Sequence, residues 1–278
     1  MRPTRIGGAH FVARNNGTMP LVPESPDPRF VLARDNIRIA TYEFGDPNGR
    51  PVVLVHGFAS AGLLNWHHSG WTRVLSRAGY RVIAIDQRGH GLSSKPHSPE
   101  AYTMPLLVDD LLDVLDTFLL DEALFVGYSL GARVGWQACL DLPDRITHAV
   151  LGGIPDGDPL TRFRVDEARA FLETGNAPTD KLTAAYVKMA SGIRGNDLAA
   201  LISLVEGMRG GAQPDPANPP RQPVLFATGT EDAILEKSRT LSEFAPRGTF
   251  YEIPGRNHFN APTSKDFRNA ALEFLGTC

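Results

Sequence analysis

Residues 123–140 have the sequence ALFVGYSLGARVGWQACL, in which an apolar run passes through a glycine-flanked serine into a helical run. The centre is Gly127-Tyr128-Ser129-Leu130-Gly131, with the pattern Gly-x-Ser-x-Gly. Glycine on either side removes Cβ atoms that would clash in a sharp strand-to-helix turn, and such a turn projects the serine hydroxyl from the edge of a sheet. Ser129 is therefore the candidate nucleophile.

A serine hydroxyl is a poor nucleophile until a base accepts its proton, so the chain must also supply a histidine and an acid that orients it. Asp232 and His258 lie in loops that follow two successive late strands of the predicted sheet. Together with Ser129 they have the chain order Ser, Asp, His, and we predict that these three form a catalytic triad. Asp156 and Asp158, just after the sixth predicted strand, remain alternative orienting acids.

Attack by a serine on a carbonyl creates a negative oxygen, which backbone amides pointing into the site can stabilise without reorganisation. The Leu130 amide follows the nucleophile directly and is one candidate donor. The other is the Phe58 amide, in the loop His56-Gly57-Phe58 after the third predicted strand. We expect His56 to have a structural role, holding this loop by hydrogen bonding.

Apolar strands alternate with helical segments along most of the chain, which predicts an α/β protein with a mostly parallel sheet wrapped by helices. The predicted strands cover residues 30–34, 37–44, 51–55, 81–85, 123–126, 147–151, 224–227 and 249–253, and the predicted helices cover 104–119, 130–140 and 264–275. The first two strands are predicted to form a hairpin around Asp35-Asn36.

The interval between the sixth and seventh predicted strands is too long for one crossover helix. It contains three amphipathic candidates, at residues 164–173, 180–190 and 198–208, with Thr179 and Asp197 as N-caps of the second and third. We therefore predict four parts: an N-terminal arm at 1–28, a first part of the core at 29–154, a helical cap insertion at 155–221 and a second part of the core at 222–278.

Composition narrows the function classes. The 278 residues are 42% hydrophobic and 21% charged, typical of an ordinary globular protein, and a formal net charge of −3 supplies no footprint for nucleic acid or an anionic membrane. Cys139 and Cys278 are the two cysteines, so a disulfide framework is not expected. No apolar leader or run of transmembrane length is present, which predicts a cytoplasmic protein. The expected partner is a small-molecule substrate, with neither nucleic acid nor a membrane. The oligomeric state stays open.

Several landmarks, in order along the chain, resemble the α/β-hydrolase fold superfamily from about residue 30 to the end. They are His56-Gly57-Phe58, the segment DQRGHGLS at residues 86–93, the turn at Ser129, and the loops of Asp232 and His258. The resemblance implies an eight-stranded, mostly parallel sheet whose second strand is antiparallel, with a helical cap after the sixth strand. It also implies carboxylic esters or lactones as the substrate class, cleaved through an acyl-enzyme.

The substrate cavity is expected between the carboxyl ends of the strands and the cap. Its predicted lining is apolar and consists of Phe58, Leu63, Leu64, Trp66, Tyr128, Leu130, Ile154, Ile234 and Phe259. No cofactor is called for, because Gly89-His90-Gly91 lacks the third glycine of a dinucleotide fingerprint. No metal is expected either, because the adjacent His67-His68 point apart and the other histidines lack ligand spacing.

Proteins of the same fold also catalyse other reactions. Epoxide hydrolases and haloalkane dehalogenases of the superfamily carry an Asp at the position of Ser129, which argues against them. Hydrolysis of a C–C bond and cofactor-free perhydrolase or haloperoxidase-like chemistry both retain a Ser, and these alternatives stay open. A ligand-binding protein on the same fold also stays open, because fold alone never establishes activity.

Overall fold

A single eight-stranded sheet forms the centre of the computed structural model, which describes residues 26–158 and 160–277. The strands are β1 (Arg29–Leu32), β2 (Arg38–Gly45), β3 (Pro51–Val55), β4 (Arg81–Ile85), β5 (Ala123–Tyr128), β6 (Ile146–Gly152), β7 (Val224–Gly229) and β8 (Gly248–Ile253). Their spatial order is β1-β2-β4-β3-β5-β6-β7-β8, and β2 alone of these eight runs against the others. This confirms the predicted α/β class and the predicted antiparallel second strand.

Helices connect the strands and cover both faces of the sheet. They are α1 (Trp71–Arg77), α2 (Met104–Thr117), α3 (Leu130–Asp141), α4 (Val165–Thr174), α5 (Lys181–Gly192), α6 (Leu198–Met208), α7 (Leu235–Phe244) and α8 (Lys265–Gly276). A π-helical turn, Leu63–His68, precedes α1, and short 3₁₀ turns lie at Pro99–Ala101 and Ala261–Thr263.

The unbroken apolar sequence of β3 explains the two layers of the core, because successive side chains of a strand point to opposite faces. Val53 and Val55 belong to the larger apolar cluster, which contains residues of α2, α3 and α7. Val52 and Leu54 belong to the second cluster, to which α1 and α8 contribute. A strand covered on both faces must be apolar throughout, and all four of these side chains are buried.

Two helices of the core, α1 and α7, were not predicted from the sequence. The buried face of α7 consists of Ser238, Leu241 and Ser242, so its inner surface carries hydroxyl groups and shows little apolar periodicity. Helix α1 spans only Trp71–Arg77, which is too short for a helical period to emerge.

Helices α4, α5 and α6 lie between β6 and β7, and we call them the cap helices. The predicted N-cap Thr179 is wrong: the Asp180 side chain caps α5 by accepting from the Thr183 amide at 2.8 Å. The Thr179 amide instead donates to Glu167 Oε2, at 2.5 Å. The predicted cap of α6 is confirmed, since the Asp197 side chain accepts from the Ala199 amide at 2.9 Å.

Most of the predicted N-terminal arm, residues 1–25, lies outside the described residues, as does Cys278. Cys139 is buried and has no disulfide partner in the described part of the chain, and burial raises the pKa of its thiol to about 12. Among the described helices none combines the length and the apolar character needed to cross a membrane.

Candidate active site

Ser129 lies at the turn between β5 and α3 with a backbone φ of 54°, an uncommon conformation for a residue with a side chain. The flanking glycines allow this turn to sit against the sheet. A Cβ on Gly131 would lie 2.1 Å from the carbonyl oxygen of Val55, and a Cβ on Gly127 would lie 2.4 Å from the carbonyl oxygen of Gly131. The Ser129 amide donates to Gly152 O at 2.8 Å, which ties the turn to β6.

The structure brings Ser129, His258 and Asp232 together, at the carboxyl ends of β5, β8 and β7. His258 Nε2 lies 2.9 Å from Ser129 Oγ, and His258 Nδ1 lies 2.7 Å from Asp232 Oδ2. A carboxylate accepts only, so the proton of a neutral imidazole sits on Nδ1 and leaves Nε2 free to accept the serine proton. The Asp232 side chain is 3% exposed, so its hydrogen bond with His258 is largely shielded from water.

The alternative acids lie elsewhere. Asp156 Oδ1 pairs with Lys237 Nζ at 2.9 Å, and Asp158 Oδ1 accepts from the Gly210 amide at 2.6 Å. Neither carboxylate therefore contacts His258, whose Nδ1 is paired with Asp232.

Tyr128 fixes the loop that carries the histidine. Its hydroxyl donates to the His258 carbonyl oxygen at 2.7 Å, and its ring lies 5.5 Å from the imidazole centroid. Burial raises the pKa of this phenol well above its ordinary value, so Tyr128 stays a neutral donor. The side chain predicted to line the cavity thus also holds the position of His258.

The two predicted oxyanion donors have no hydrogen-bond acceptor among the described residues. Leu130 is the first residue of α3, where an amide has no acceptor within its own helix. The Phe58 amide makes no hydrogen bond to another residue in the part of the chain that the structure describes. Gly57, which directly precedes Phe58, lies against the Ser129 turn: a Cβ there would be 3.3 Å from Ser129 Cβ.

Two buried histidines hold the Phe58 loop. His56 Nε2 accepts from the Gln87 amide at 3.1 Å, which agrees with the structural role expected for it. His90 Nε2 accepts from the Ala59 amide at 3.0 Å and so supports Ala59, whose φ is 59°. Burial lowers the pKa of both imidazoles, and a neutral ring is what lets each nitrogen accept. This role of His90 was not predicted from the sequence.

The Asp86 carboxylate is a hydrogen-bond acceptor inside the segment at residues 86–93. Its carboxylate accepts from the Tyr42 hydroxyl at 3.0 Å and from the Gly62 and Leu92 amides at 2.6 and 2.8 Å. A Cβ on Gly91 would lie 2.1 Å from Asp86 Oδ2, so glycine is required where the segment closes on this carboxylate. The segment therefore packs against the Phe58 loop around a buried acid.

The cap helices are tied to the same two loops through Asn196, in the connection between α5 and α6. Its Nδ2 donates to Ala59 O at 3.1 Å, and its Oδ1 accepts from the Gly91 amide at 2.7 Å. This contact joins segments far apart in sequence, and no local pattern signals it.

A cavity of about 230 Å³ opens beside Ser129. It is lined by Gly57, Phe58, Ser60, Leu64, Asn65, Ser69, Tyr128, Ser129, Tyr186, Met189, His258, Phe259, Pro262 and Thr263. Phe58, Leu64, Tyr128 and Phe259 line it as predicted. The cap contributes Tyr186 and Met189 from α5, and neither residue was predicted from the sequence to line the cavity.

The other predicted lining residues are not part of this cavity. Trp66 is fully buried and packs edge to face on Trp71 with ring centroids 5.3 Å apart. Leu63 packs against the apolar cluster that contains Trp66. Ile154 is fully buried in the other core cluster, and Ile234 precedes α7 outside the cavity wall. Apolar residues near a turn serve the core as readily as a cavity, so composition did not separate the two.

An aromatic cluster closes the cavity on the cap side. The Tyr186 ring centroid lies 5.2 Å from that of Phe58 and 5.4 Å from that of Phe259. Phe163 packs on Phe58 from behind, at 5.6 Å. Burial raises the pKa of Tyr186 to about 12, which keeps its hydroxyl neutral. Within residues 26–158 and 160–277 no cluster of His, Cys, Asp and Glu could hold a metal ion.

Part of the chain has relatives among known proteins. A family model described as alpha/beta hydrolase fold matches residues 50–177. Epoxide hydrolase A of Mycobacterium tuberculosis is 36% identical over 137 residues, which cover 49% of this chain and 41% of the relative. Epoxide hydrolase B of the same organism is 42% identical over 110 residues, which cover 40% of this chain and 30% of the relative. The matched part is thus less than half the length of these relatives.

Solved structures match nearly the whole chain at lower identity. A hydrolase from Pseudomonas aeruginosa PA01 has a TM-score of 0.73 at 22% identity and covers 91% of this chain and 99% of its own. The enol-lactonase from Burkholderia xenovorans LB400 has a TM-score of 0.72 at 22% identity and covers 89% of this chain and 100% of its own. At this identity the likeness concerns the fold.

Proposed function

We propose that this chain, whose fold is that of the α/β hydrolases, is a serine hydrolase that cleaves a carboxylic ester or lactone of a small, largely apolar substrate. The observation that carries the proposal is the hydrogen-bonded series Ser129, His258, Asp232, with distances of 2.9 and 2.7 Å. A nucleophile, a base within reach of its proton and an acid that orients the base are the parts that acyl transfer requires.

In this mechanism Ser129 Oγ attacks the substrate carbonyl carbon while His258 Nε2 takes the hydroxyl proton. The carbonyl oxygen becomes negative and accepts hydrogen bonds from the backbone amides of Phe58 and Leu130. The tetrahedral intermediate collapses, the alkoxide leaves with the proton from His258, and the acyl group stays on Ser129. Water then attacks the acyl-enzyme, His258 takes its proton, and the acid is released as the proton returns to Ser129.

The chemistry of the nucleophile favours carbonyl substrates over epoxides, although relatives of the chain are called epoxide hydrolases. A carboxylate that opens an epoxide forms an ester, and water can hydrolyse an ester. A serine alkoxide that opens an epoxide forms an ether, which water activated by a histidine does not cleave. Ser129 can therefore complete a turnover on an acyl group, whose intermediate is an ester.

The cavity supports a small substrate. Its volume of about 230 Å³ is below the range of roughly 300–1,000 Å³ that is usual for small-molecule sites. Phe58, Leu64, Met189 and Phe259 make much of its wall apolar. We expect short acyl chains to react faster than long ones.

The proposal is tested by hydrolysis of p-nitrophenyl esters from acetate to decanoate and of a simple lactone, with Ser129→Ala alongside. We expect turnover of short esters and a loss of about 10⁴-fold or more in kcat/KM for Ser129→Ala. Ser203→Ala is the matched control, because Ser203 is a buried serine of α6 that does not line the cavity.

Labelling provides an assay that is independent of the substrate. A fluorophosphonate reacts with an activated serine, and mass spectrometry of the peptides identifies the residue. Labelling of Ser129 that is absent in His258→Ala supports the proposal. A folded protein that hydrolyses no ester or lactone and takes up no label contradicts it and favours ligand binding on the same fold.

A further inference from the structure

Asn65 is a polar residue in the wall of the cavity. It lies in the π-helical turn Leu63–His68, is 7% exposed and lines the space beside Ser129. Its backbone is fully engaged: the amide donates to Ala61 O at 2.9 Å, and the carbonyl oxygen accepts from the Ser69 hydroxyl. The position of the residue is therefore held by the turn, and its side chain is left for another purpose.

The amide nitrogen of the Asn65 side chain lacks a partner among the described residues. Its Nδ2 is shielded from solvent and has no hydrogen-bond acceptor in the part of the chain that the structure describes. A buried N–H group without an acceptor costs free energy, so native proteins seldom keep one without a reason. Leu64 and Pro262 line the same cavity, so apolar residues also fit in its wall.

With its amide turned toward the cavity, Asn65 would find the missing acceptor in a bound ligand. The torsion about the Cβ–Cγ bond of asparagine is soft, and a half-turn exchanges the N–H and C=O ends of the amide. The donor can thus turn toward a bound molecule while the backbone of the turn stays in place.

We propose that Asn65 is a specificity-determining residue, which donates a hydrogen bond to a second oxygen of the substrate, apart from the carbonyl that Ser129 attacks. The inference rests on the proposed function and narrows its substrate class to esters or lactones that also carry a keto or ether oxygen. Such an oxygen accepts and does not donate, which matches a side chain whose unpartnered atom is a donor.

The test uses pairs of substrates that differ in one oxygen. The acyl pairs are p-nitrophenyl 4-oxopentanoate with pentanoate and methoxyacetate with butanoate; the alcohol pair is 2-methoxyethyl butanoate with butyl butanoate. For each pair the ratio of kcat/KM is measured in the wild type, Asn65→Leu and Asn65→Asp. The aspartate variant keeps the shape of the side chain and loses the donor.

We expect the wild type to prefer the oxygenated member in at least one pair and both variants to lower that ratio by about 3- to 10-fold. Asn176→Leu, at an exposed position, is the control and leaves the ratio unchanged. If one variant fails to fold, the other still carries the comparison, because a melting curve identifies the folded protein.

The outcomes separate the two proposals. A wild type that hydrolyses no member of any pair overturns the proposed function. A wild type that hydrolyses them, with ratios that the Asn65 variants leave unchanged, overturns the role of Asn65 alone.

Discussion

Replacing Asn196 by alanine should weaken both the protein and its proposed reaction, although the side chain does not line the cavity. Asn196 joins the cap to the loop that follows Phe58 through hydrogen bonds to Ala59 O at 3.1 Å and from the Gly91 amide at 2.7 Å. Ala59 has a φ of 59°, which surrounding contacts must maintain.

The expected magnitude follows from these two bonds. Each contributes about 0.5–1.5 kcal/mol net, so Asn196→Ala should lower the free energy of unfolding by about 1–3 kcal/mol. For a domain of this size that corresponds to a melting temperature lower by roughly 2–10 °C. An oxyanion donor is worth about 10²-fold or more in rate, so a loosened Phe58 amide should lose part of that, about tenfold in kcat.

Thermal melts and initial rates on a short p-nitrophenyl ester test this prediction, with the exposed Asn218→Ala as control. Asn196→Asp keeps an acceptor for the Gly91 amide but brings a carboxylate to Ala59 O, so it should lose at least as much kcat as the alanine variant. KM should change little in both. If Asn196→Ala melts and turns over like Asn218→Ala, the contact does not position the loop.

Other substitutions test further parts of the structure. Gly131→Ala places a Cβ 2.1 Å from the carbonyl oxygen of Val55, and we expect it to cost about 2 kcal/mol or more; Gly192→Ala, a helical glycine with open space around it, should melt no lower than the wild type. Asp232→Asn should lower kcat for ester hydrolysis by about 10⁴-fold, because the asparagine would hold the His258 imidazole in the wrong tautomer. A loss under tenfold would show that Asp232 is not part of the mechanism. Burial lowers the pKa of His90, so below pH 6.5 this histidine is protonated in the unfolded chain and neutral in the folded protein. As the pH falls below 6.5, this group should therefore lower the free energy of unfolding, measured in urea, by about 1.4 kcal/mol per pH unit. His90→Gln should remove that contribution, and equal slopes in both proteins would contradict it.

The turn around Ser129 is the feature that local sequence describes best. The apolar run, the two glycines and the following helix are all neighbours in the chain, and the steric demand for Gly127 and Gly131 acts within a few residues. The strands of the sheet centre were likewise predictable, because burial on both faces requires a continuous apolar run such as that of β3.

Helix α7 and the cavity wall show where such prediction ends. The inner face of α7 carries Ser238 and Ser242, and the Ser238 hydroxyl is satisfied by Thr228 Oγ1 at 2.7 Å across the packing interface. From the sequence alone, a serine on a helix is predicted to face solvent, because its hydrogen-bond partner in another element cannot be identified. Trp66 presents the opposite case, since an aromatic residue near the site belongs to the core.

The sequence by itself determined the α/β class, the turn that carries Ser129 and the chemical types of Asp232 and His258, because strand periodicity, glycine sterics and acid–base chemistry are local properties. Only the tertiary structure decided that His258 lies 2.9 Å from Ser129 Oγ and that Asp232 is the acid beside it. It also decided that the cap brings Tyr186 to the cavity. These contacts join segments separated by tens of residues or more, and their distances follow from the packing of the whole chain.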